Sequence, residues 1–144
     1  MPVKFGTPLF DEFTHIRHRI LREPLGLTFS CKDIAVEWKD VHLVAWSLKW
    51  GVLGGLILHR LSKTEFKMRQ VAVLDDFQRR GIGKKMAQFT EQWVLENGGE
   101  IISLHARKKA VSFYKKLDYE LHPVQFLEVG IPHFKMHKLL RSTM

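Results

Sequence analysis

Gln78-Arg79-Arg80-Gly81-Ile82-Gly83 is a short basic loop with two glycines, set between a strand-like run and a helix-like run. The first N–H groups of a helix have no partner inside it and point outward. The helix dipole adds positive potential at the same end, worth about 0.3–1 kcal/mol to an exposed anion. Gly81 and Gly83 permit a sharp turn and a close approach of backbone to ligand. Arg79, Arg80, Lys84 and Lys85 gather cationic charge around the same point. A strand feeding such a loop and then a helix has the layout of a diphosphate cradle, suited to a phosphorylated small molecule. The same six residues also suit a plain glycine turn before a helix with a solvated basic face. The spacing is not that of the nucleotide P-loop, which needs a longer loop ending in Gly-Lys-Ser/Thr. Nor do two glycines make the dinucleotide fingerprint.

Several elements must position this loop. Phe66–Leu74 reads as an extended run before it, and Ile82, Met86, Phe89 and Trp93 recur at helical spacing after it. A helix is expected from Gly81 to Glu96, stopped by Asn97-Gly98-Gly99. Upstream, Phe10, Phe13, Ile16, Ile20 and Leu21 mark a helix over about Leu9–Arg22, closed by Pro24 and Gly26. Ser30-Cys31-Lys32-Asp33 resembles a capping box and opens a brief helix to about Trp38. Val41–Lys49 and Val52–His59 read as strands about a turn at Gly51, with antiparallel pairing expected from the short connections. Downstream come a strand over Glu100–Ala106, a helix over Arg107–Leu117, and strands over Glu120–Glu128 and His133–Leu139, the last two joined through Gly130-Ile131-Pro132. The crossover from Phe66–Leu74 to Glu100–Ala106 implies a parallel pair. The fold class is therefore α/β (α+β): a mixed sheet with helices on its faces.

Composition narrows the function. With 144 residues, 45% of them hydrophobic, the chain fits one domain, residues 1–144, with a full core. No apolar run approaches the ~20 residues that span a bilayer, so no membrane association is expected. Met1-Pro2-Val3-Lys4 lacks a signal-peptide core, and the lone Cys31 excludes an intrachain disulfide, so a cytoplasmic protein is expected. The formal net charge of +8 favours anionic partners. It is dispersed, no recognition-helix motif accompanies it, and no nucleic acid is expected as a partner. No His, Cys, Asp or Glu grouping has metal-ligand spacing, so no metal is expected. Cys31 reads as a small buried hydrophobe.

Two motifs then converge on a known pattern. The loop is similar to the acetyl-CoA motif Gln/Arg-x-x-Gly-x-Gly/Ala of the GNAT superfamily of acetyltransferases. About 30 residues on, Ala110-Val111-Ser112-Phe113-Tyr114-Lys115-Lys116-Leu117-Asp118-Tyr119 resembles that family's Ala-x-x-Phe-Tyr-x-x-x-Gly-Phe/Tyr segment. Within the superfamily the chain looks most like the bacterial ElaA-like group. The similar segments are Pro24-Leu25-Gly26-Leu27, Met68-Arg69-Gln70-Val71-Ala72-Val73, Leu104-His105-Ala106-Arg107 and Glu128-Val129-Gly130-Ile131-Pro132-His133.

The resemblance implies an N-acetyltransferase that moves acetyl from acetyl-CoA to a primary amine by direct attack in a ternary complex. It implies a splayed central parallel strand pair, with the pantetheine arm entering as an extra strand beside Val71, Ala72 and Val73. It places Gln78, Arg79, Arg80, Gly81, Ile82, Gly83 and Lys84 at the cofactor, with the backbone amides of Arg79 to Lys84 on the diphosphate, Arg79, Arg80 or Lys84 also able to meet the 3′-phosphate, and an N–H near Val71 on the oxyanion. Tyr114 is the matched proton donor to the thiolate, since a phenol stays protonated at neutral pH. Its alternative role is that of an amphipathic core tyrosine. His105, Glu128 and His133 are candidates for general base, each with a structural or substrate-orienting role as the alternative. Asp118 stands where the family pattern has glycine, and Arg107 where many members have asparagine. Two other functions remain open at this stage: a CoA-binding sensor without catalysis, and a basic nucleic-acid-binding domain. The acceptor amine is unspecified, and a homodimer is an option that no segment requires.

Overall fold

The computed structural model describes residues 1–3, 8–22 and 39–140. The expected helix from Ser30 to Trp38, Cys31, and the Pro24-Leu25-Gly26-Leu27 segment lie outside the described residues. The chain divides into two compact units, Met1–His59 with Arg69–Thr90, and Arg60–Met68 with Glu91–Met144.

In the first unit, β1 (Pro2–Val3), β2 (Val41–Ser47), β3 (Gly51–Arg60) and β4 (Glu65–Val73, here residues 69–73) are ordered β1-β2-β3-β4. Strands β2 and β3 pair antiparallel from Val41↔Leu58 to Ser47↔Gly51, as the short connection predicts. Ser47 Oγ accepts the N–H groups of Lys49 and Trp50, and Gly51 turns the chain at φ +74°. Helix α1 (Pro8–Arg17) buries Phe13 and Ile16 against Val44, Val52, Ile57 and Ala72. Neighbouring strand residues point to opposite faces. Leu43 and Leu56 accordingly line a cavity with Ile82 and Met86 from the start of α2 (Ile82–Glu96). Helices thus cover both faces of this sheet, as expected. The predicted first helix is shorter than its periodicity implied: its last residues, His18–Arg22, form a wider π-helical turn.

Gly54 sets how closely β3 approaches β4. A Cβ there would lie 2.4 Å from the Ala72 carbonyl oxygen and 3.0 Å from Val73 Cα. Only a residue without a side chain permits that separation.

The second unit contains residues 65–68 of β4, the end of α2, β5 (Ile101–Arg107), α3 (Val111–Lys116), β6 (Glu120–Glu128) and β7 (Ile131–Leu139), with strand order β4-β5-β7-β6. The predicted parallel pair exists over Glu65↔Ile101 to Met68↔Leu104. Strand β7 pairs antiparallel with both β5 and β6. One sheet face is apolar and sealed: Phe66, Met68, Ile102, Leu104, Ala106 and Met136 are buried on it. Alternate residues on the other face are polar, among them Lys67, Ser103, His105, His133, Lys135 and His137. At the end of α2, Gly98 has φ +83° and Gly99 N–H bonds the Val94 carbonyl at 2.8 Å, the predicted glycine stop.

Two predicted boundaries move. The Arg107–Leu117 helix resolves into a 3-10 turn, Lys108–Ala110, followed by the short α3. The last hairpin turns at Val129-Gly130, with φ of 47° and 74°, rather than at Gly130-Ile131-Pro132. Two successive positive φ values give the two-residue turn whose twist matches antiparallel strands, which releases Ile131 and Pro132 into β7.

Candidate active site

The predicted anion loop is open for binding. Gln78 N–H bonds the Asp75 carbonyl at 3.3 Å, and the first α2 bond runs from Lys85 N–H to the Gly81 carbonyl at 3.0 Å. Between them, the N–H groups of residues 79–84 have no hydrogen-bond partner among the described residues. Arg79 and Gly81 take φ of +64° and +81°, and a Cβ on Gly81 would meet nothing within 4 Å. Gly81 is therefore needed for its backbone conformation rather than for space. Arg79, Arg80 and Lys84 are exposed around these amides, and Ile82 and Gly83 are half-buried. Consecutive unpaired N–H groups at a helix N-terminus, ringed by cations, form a receptor for an anion.

Gln78 plays a more internal part than its place in the motif implied. Its side-chain amide donates to the Val73 carbonyl at 2.9 Å and tethers the loop to the end of β4. Ala72 is buried in the core, so only its backbone is available to a ligand; Val71 and Val73 are half-buried. One residue before Val71, Gln70 has φ +55°, a left-handed kink inside the strand. Its Oε1 is buried with no hydrogen-bond partner among the described residues.

In the second unit, Tyr114 lies on α3 with only 7% of its surface exposed. Its ring makes edge contacts with Phe113 and Tyr119, centroids 5.1 and 5.6 Å away. Its hydroxyl has no hydrogen-bond partner among the described residues. Burial pushes the phenol's pKa up, so it remains a proton donor throughout the neutral range.

The three candidate bases are brought together. Glu128 Oε1 lies 3.0 Å from His105 Nδ1, and Glu128 Oε2 lies 3.5 Å from His133 Nε2. A carboxylate only accepts, so Nδ1 of His105 carries the proton, and Nε2 of the neutral ring keeps a lone pair. That Nε2 has no hydrogen-bond partner among the described residues. The arrangement is that of a base oriented from behind by a carboxylate. His133 is held differently. Its Nδ1 donates to the Ile131 carbonyl at 2.8 Å, and its contact with Glu128 is attractive when Nε2 also carries a proton. It is buried, whereas a quarter of the His105 side chain is exposed. The geometry favours His105 as base and His133 as support. Desolvation works to raise the Glu128 pKa, but the His105 hydrogen bond and the charges of His105, His133 and Lys67 outweigh it and hold the carboxyl below its ordinary range.

The family model described as "Acetyltransferase (GNAT) domain" matches residues 36–140. The chain belongs to the GNAT acetyltransferase family. It is similar to the Bacillus subtilis "Uncharacterized N-acetyltransferase YjcF", 34% identical over 73 residues, which are 50% of this chain and 52% of YjcF. The matched region spans about half the length of the curated relatives. Among solved structures the chain resembles a GNAT family acetyltransferase from Elizabethkingia anophelis with acetyl-CoA bound. The TM-score is 0.73 at 16% identity, covering 97% of this chain and 96% of the other. It also resembles Escherichia coli ElaA, with a TM-score of 0.79 at 13% identity over 96% and 97% of the two chains. At these identities the likeness is one of fold, and it bears out the mixed α/β GNAT architecture expected from the sequence.

Two supporting groups of this GNAT chain escaped sequence reasoning. Tyr119 OH reaches Glu91 Oε2 at 3.4 Å, and Lys138 Nζ bonds Glu91 Oε1 at 2.9 Å, so one carboxylate near the end of α2 ties β7 and the α3–β6 junction together. Ile131 O, which sets the His133 tautomer, is a backbone group with no sequence signature. Among the described residues no set of three or more His, Cys, Asp or Glu side chains is arranged to hold a metal ion.

Proposed function

We propose that the protein is an N-acetyltransferase that moves the acetyl group of acetyl-CoA to a primary amine by direct attack in a ternary complex. The observation that carries this reading is the run of unpartnered N–H groups at residues 79–84. Those amides, with Arg79, Arg80 and Lys84, hold the diphosphate of CoA. The backbone at Val71 and Val73 accompanies the pantetheine arm, and an N–H near Val71 steadies the oxyanion. His105 Nε2 accepts a proton from the acceptor ammonium, with Glu128 fixing the ring and His133 fixing Glu128. The neutral amine then forms the C–N bond as the C–S bond breaks, Tyr114 protonates the departing thiolate, and the surplus N–H proton of the new amide passes through solvent to restore the Tyr114 phenol.

The single cysteine accords with a cytoplasmic setting; among the described residues no helix is long and apolar enough to cross a membrane.

Thermal melting with acetyl-CoA, followed by a thiol-release assay on an amine panel, tests the reading. Ligand at 100 times its Kd stabilises by about 2.7 kcal/mol, which raises the midpoint of a domain this size by roughly 5–10 °C. Thiol release that depends on an added amine is the second expected result. An unchanged midpoint at millimolar acetyl-CoA contradicts the proposal.

A further inference from the structure

Lys135 lies directly across from His105. The two are register partners between β7 and β5, so their side chains share the polar sheet face with Cβ atoms about 4.5–5.5 Å apart. The carboxylates around this pair already have donors. Glu65 Oε2 accepts Ser103 Oγ–H at 2.9 Å, Glu120 Oε2 faces His137 Nε2 at 3.4 Å, and Glu128 holds His105 and His133. Lys135 is exposed, and its ammonium has no ion pair or hydrogen bond among the described residues.

An acceptor approaching His105 Nε2 over this face therefore meets an unpaired cation and no unpaired carboxylate on β5 or β7. From this juxtaposition we propose that Lys135 selects an acceptor amine that itself carries an anionic group, a carboxylate or a phosphate, and disfavours polycationic amines. This rests on the N-acetyltransferase reading above and deepens it. The anion of the acceptor pairs with the Lys135 ammonium while its amine faces His105. The net charge of +8 acts in the same direction during encounter.

The test is a thiol-release assay with matched acceptors: glycine against glycinamide for a carboxylate, glucosamine 6-phosphate against glucosamine for a phosphate, and spermidine as the polycation. In at least one matched pair the anionic member exceeds its neutral partner in kcat/KM by about tenfold or more, and spermidine is slower still. The pair that shows the gap identifies the anion. Lys135→Ala raises KM for the favoured acceptor about tenfold with kcat nearly unchanged, and Lys135→Arg restores it. Lys135→Glu moves the preference toward spermidine. Transfer that ignores acceptor charge, or a Lys135→Ala enzyme with unchanged KM, overturns the Lys135 proposal alone. Absence of thiol release with every acceptor in the wild-type protein, together with an unchanged melting midpoint in acetyl-CoA, is the separate signature of failure of the underlying reading.

Discussion

The backbone N–H of Tyr119 bonds the carbonyl of Tyr114 at 3.1 Å, and the two rings meet edge to face at 5.6 Å. Between them Asp118 has φ +71° and its N–H bonds the Lys115 carbonyl at 3.0 Å. Together these bonds close α3 in the double-bonded, left-handed cap that glycine usually completes, with its customary apolar contact across the cap. The ring of Tyr114 is thereby fixed by the way its own helix ends. A six-residue helix is too short to hold a side chain rigidly without such an anchor.

Asp118→Gly relieves the cost of a Cβ at positive φ and keeps both backbone bonds of the cap. Denaturant unfolding is expected to show a gain of about 0.5–1 kcal/mol, with acetyl transfer unchanged. A loss of stability would mean that the Asp118 side chain makes a favourable contribution of its own.

Tyr114→Phe keeps the ring contacts with Phe113 and Tyr119 and removes only the hydroxyl. Turnover is expected to fall about 100-fold or more, with acetyl-CoA affinity unchanged. Because burial raises the phenol's pKa, the wild-type enzyme is not expected to lose activity from Tyr114 ionisation as pH rises to about 10. Steady-state rates and acetyl-CoA titrations of both proteins check this together.

Glu128 is expected to link activity to acid stability. Its folded pKa lies below the unfolded value, so the stability it contributes is fully present above about pH 4.5 and is lost as pH falls through the lower folded pKa. Glu128→Gln is therefore expected to be less stable than wild type near pH 6, with the gap closing in strong acid. In the same variant His105 loses its carboxylate partner and kcat falls. Paired unfolding curves between pH 2 and 7 measure the first effect; a gap that widens toward acid would reverse the assigned sign.

Gly54→Ala pushes a methyl group against the Ala72 carbonyl and Val73 Cα. The contact is to backbone, which cannot rotate away, so β3 and β4 must separate. About 1–3 kcal/mol of destabilisation is expected, together with weaker acetyl-CoA binding through the displaced residues 71–73. Gly81→Ala offers a contrast: it meets open space and is strained only by its φ of +81°.

Much of the fold is legible because its elements carry strong local signals. The apolar spacing of Ile82, Met86 and Trp93 and the Asn97-Gly98-Gly99 stop delimit α2, and β6 spans the predicted Glu120–Glu128. What the sequence conceals depends on partners far along the chain. Strand β1 has two residues, too few for any period, and exists through its pairing with Leu43 and His42 of β2. The turn at Val129 is hidden because a β-branched residue at positive φ defies local preference and is held by the β6–β7 ladder. His105, Glu128 and His133 are identifiable individually as residues able to hold a proton. Their grouping follows from strand register, and the different hydrogen bonding of His105 and His133 from Glu128 and the Ile131 carbonyl, which no residue type announces.

The proposed function stands or falls on whether the N–H groups of residues 79–84 bind the diphosphate of acetyl-CoA. Residue-resolved amide hydrogen exchange, with and without saturating acetyl-CoA, addresses those hydrogens directly. Free of ligand, they are expected to exchange rapidly, having no partner among the described residues; with ligand, a contiguous set of them is expected to slow by about tenfold or more. Saturated binding that leaves exchange at residues 79–84 unchanged would contradict the account.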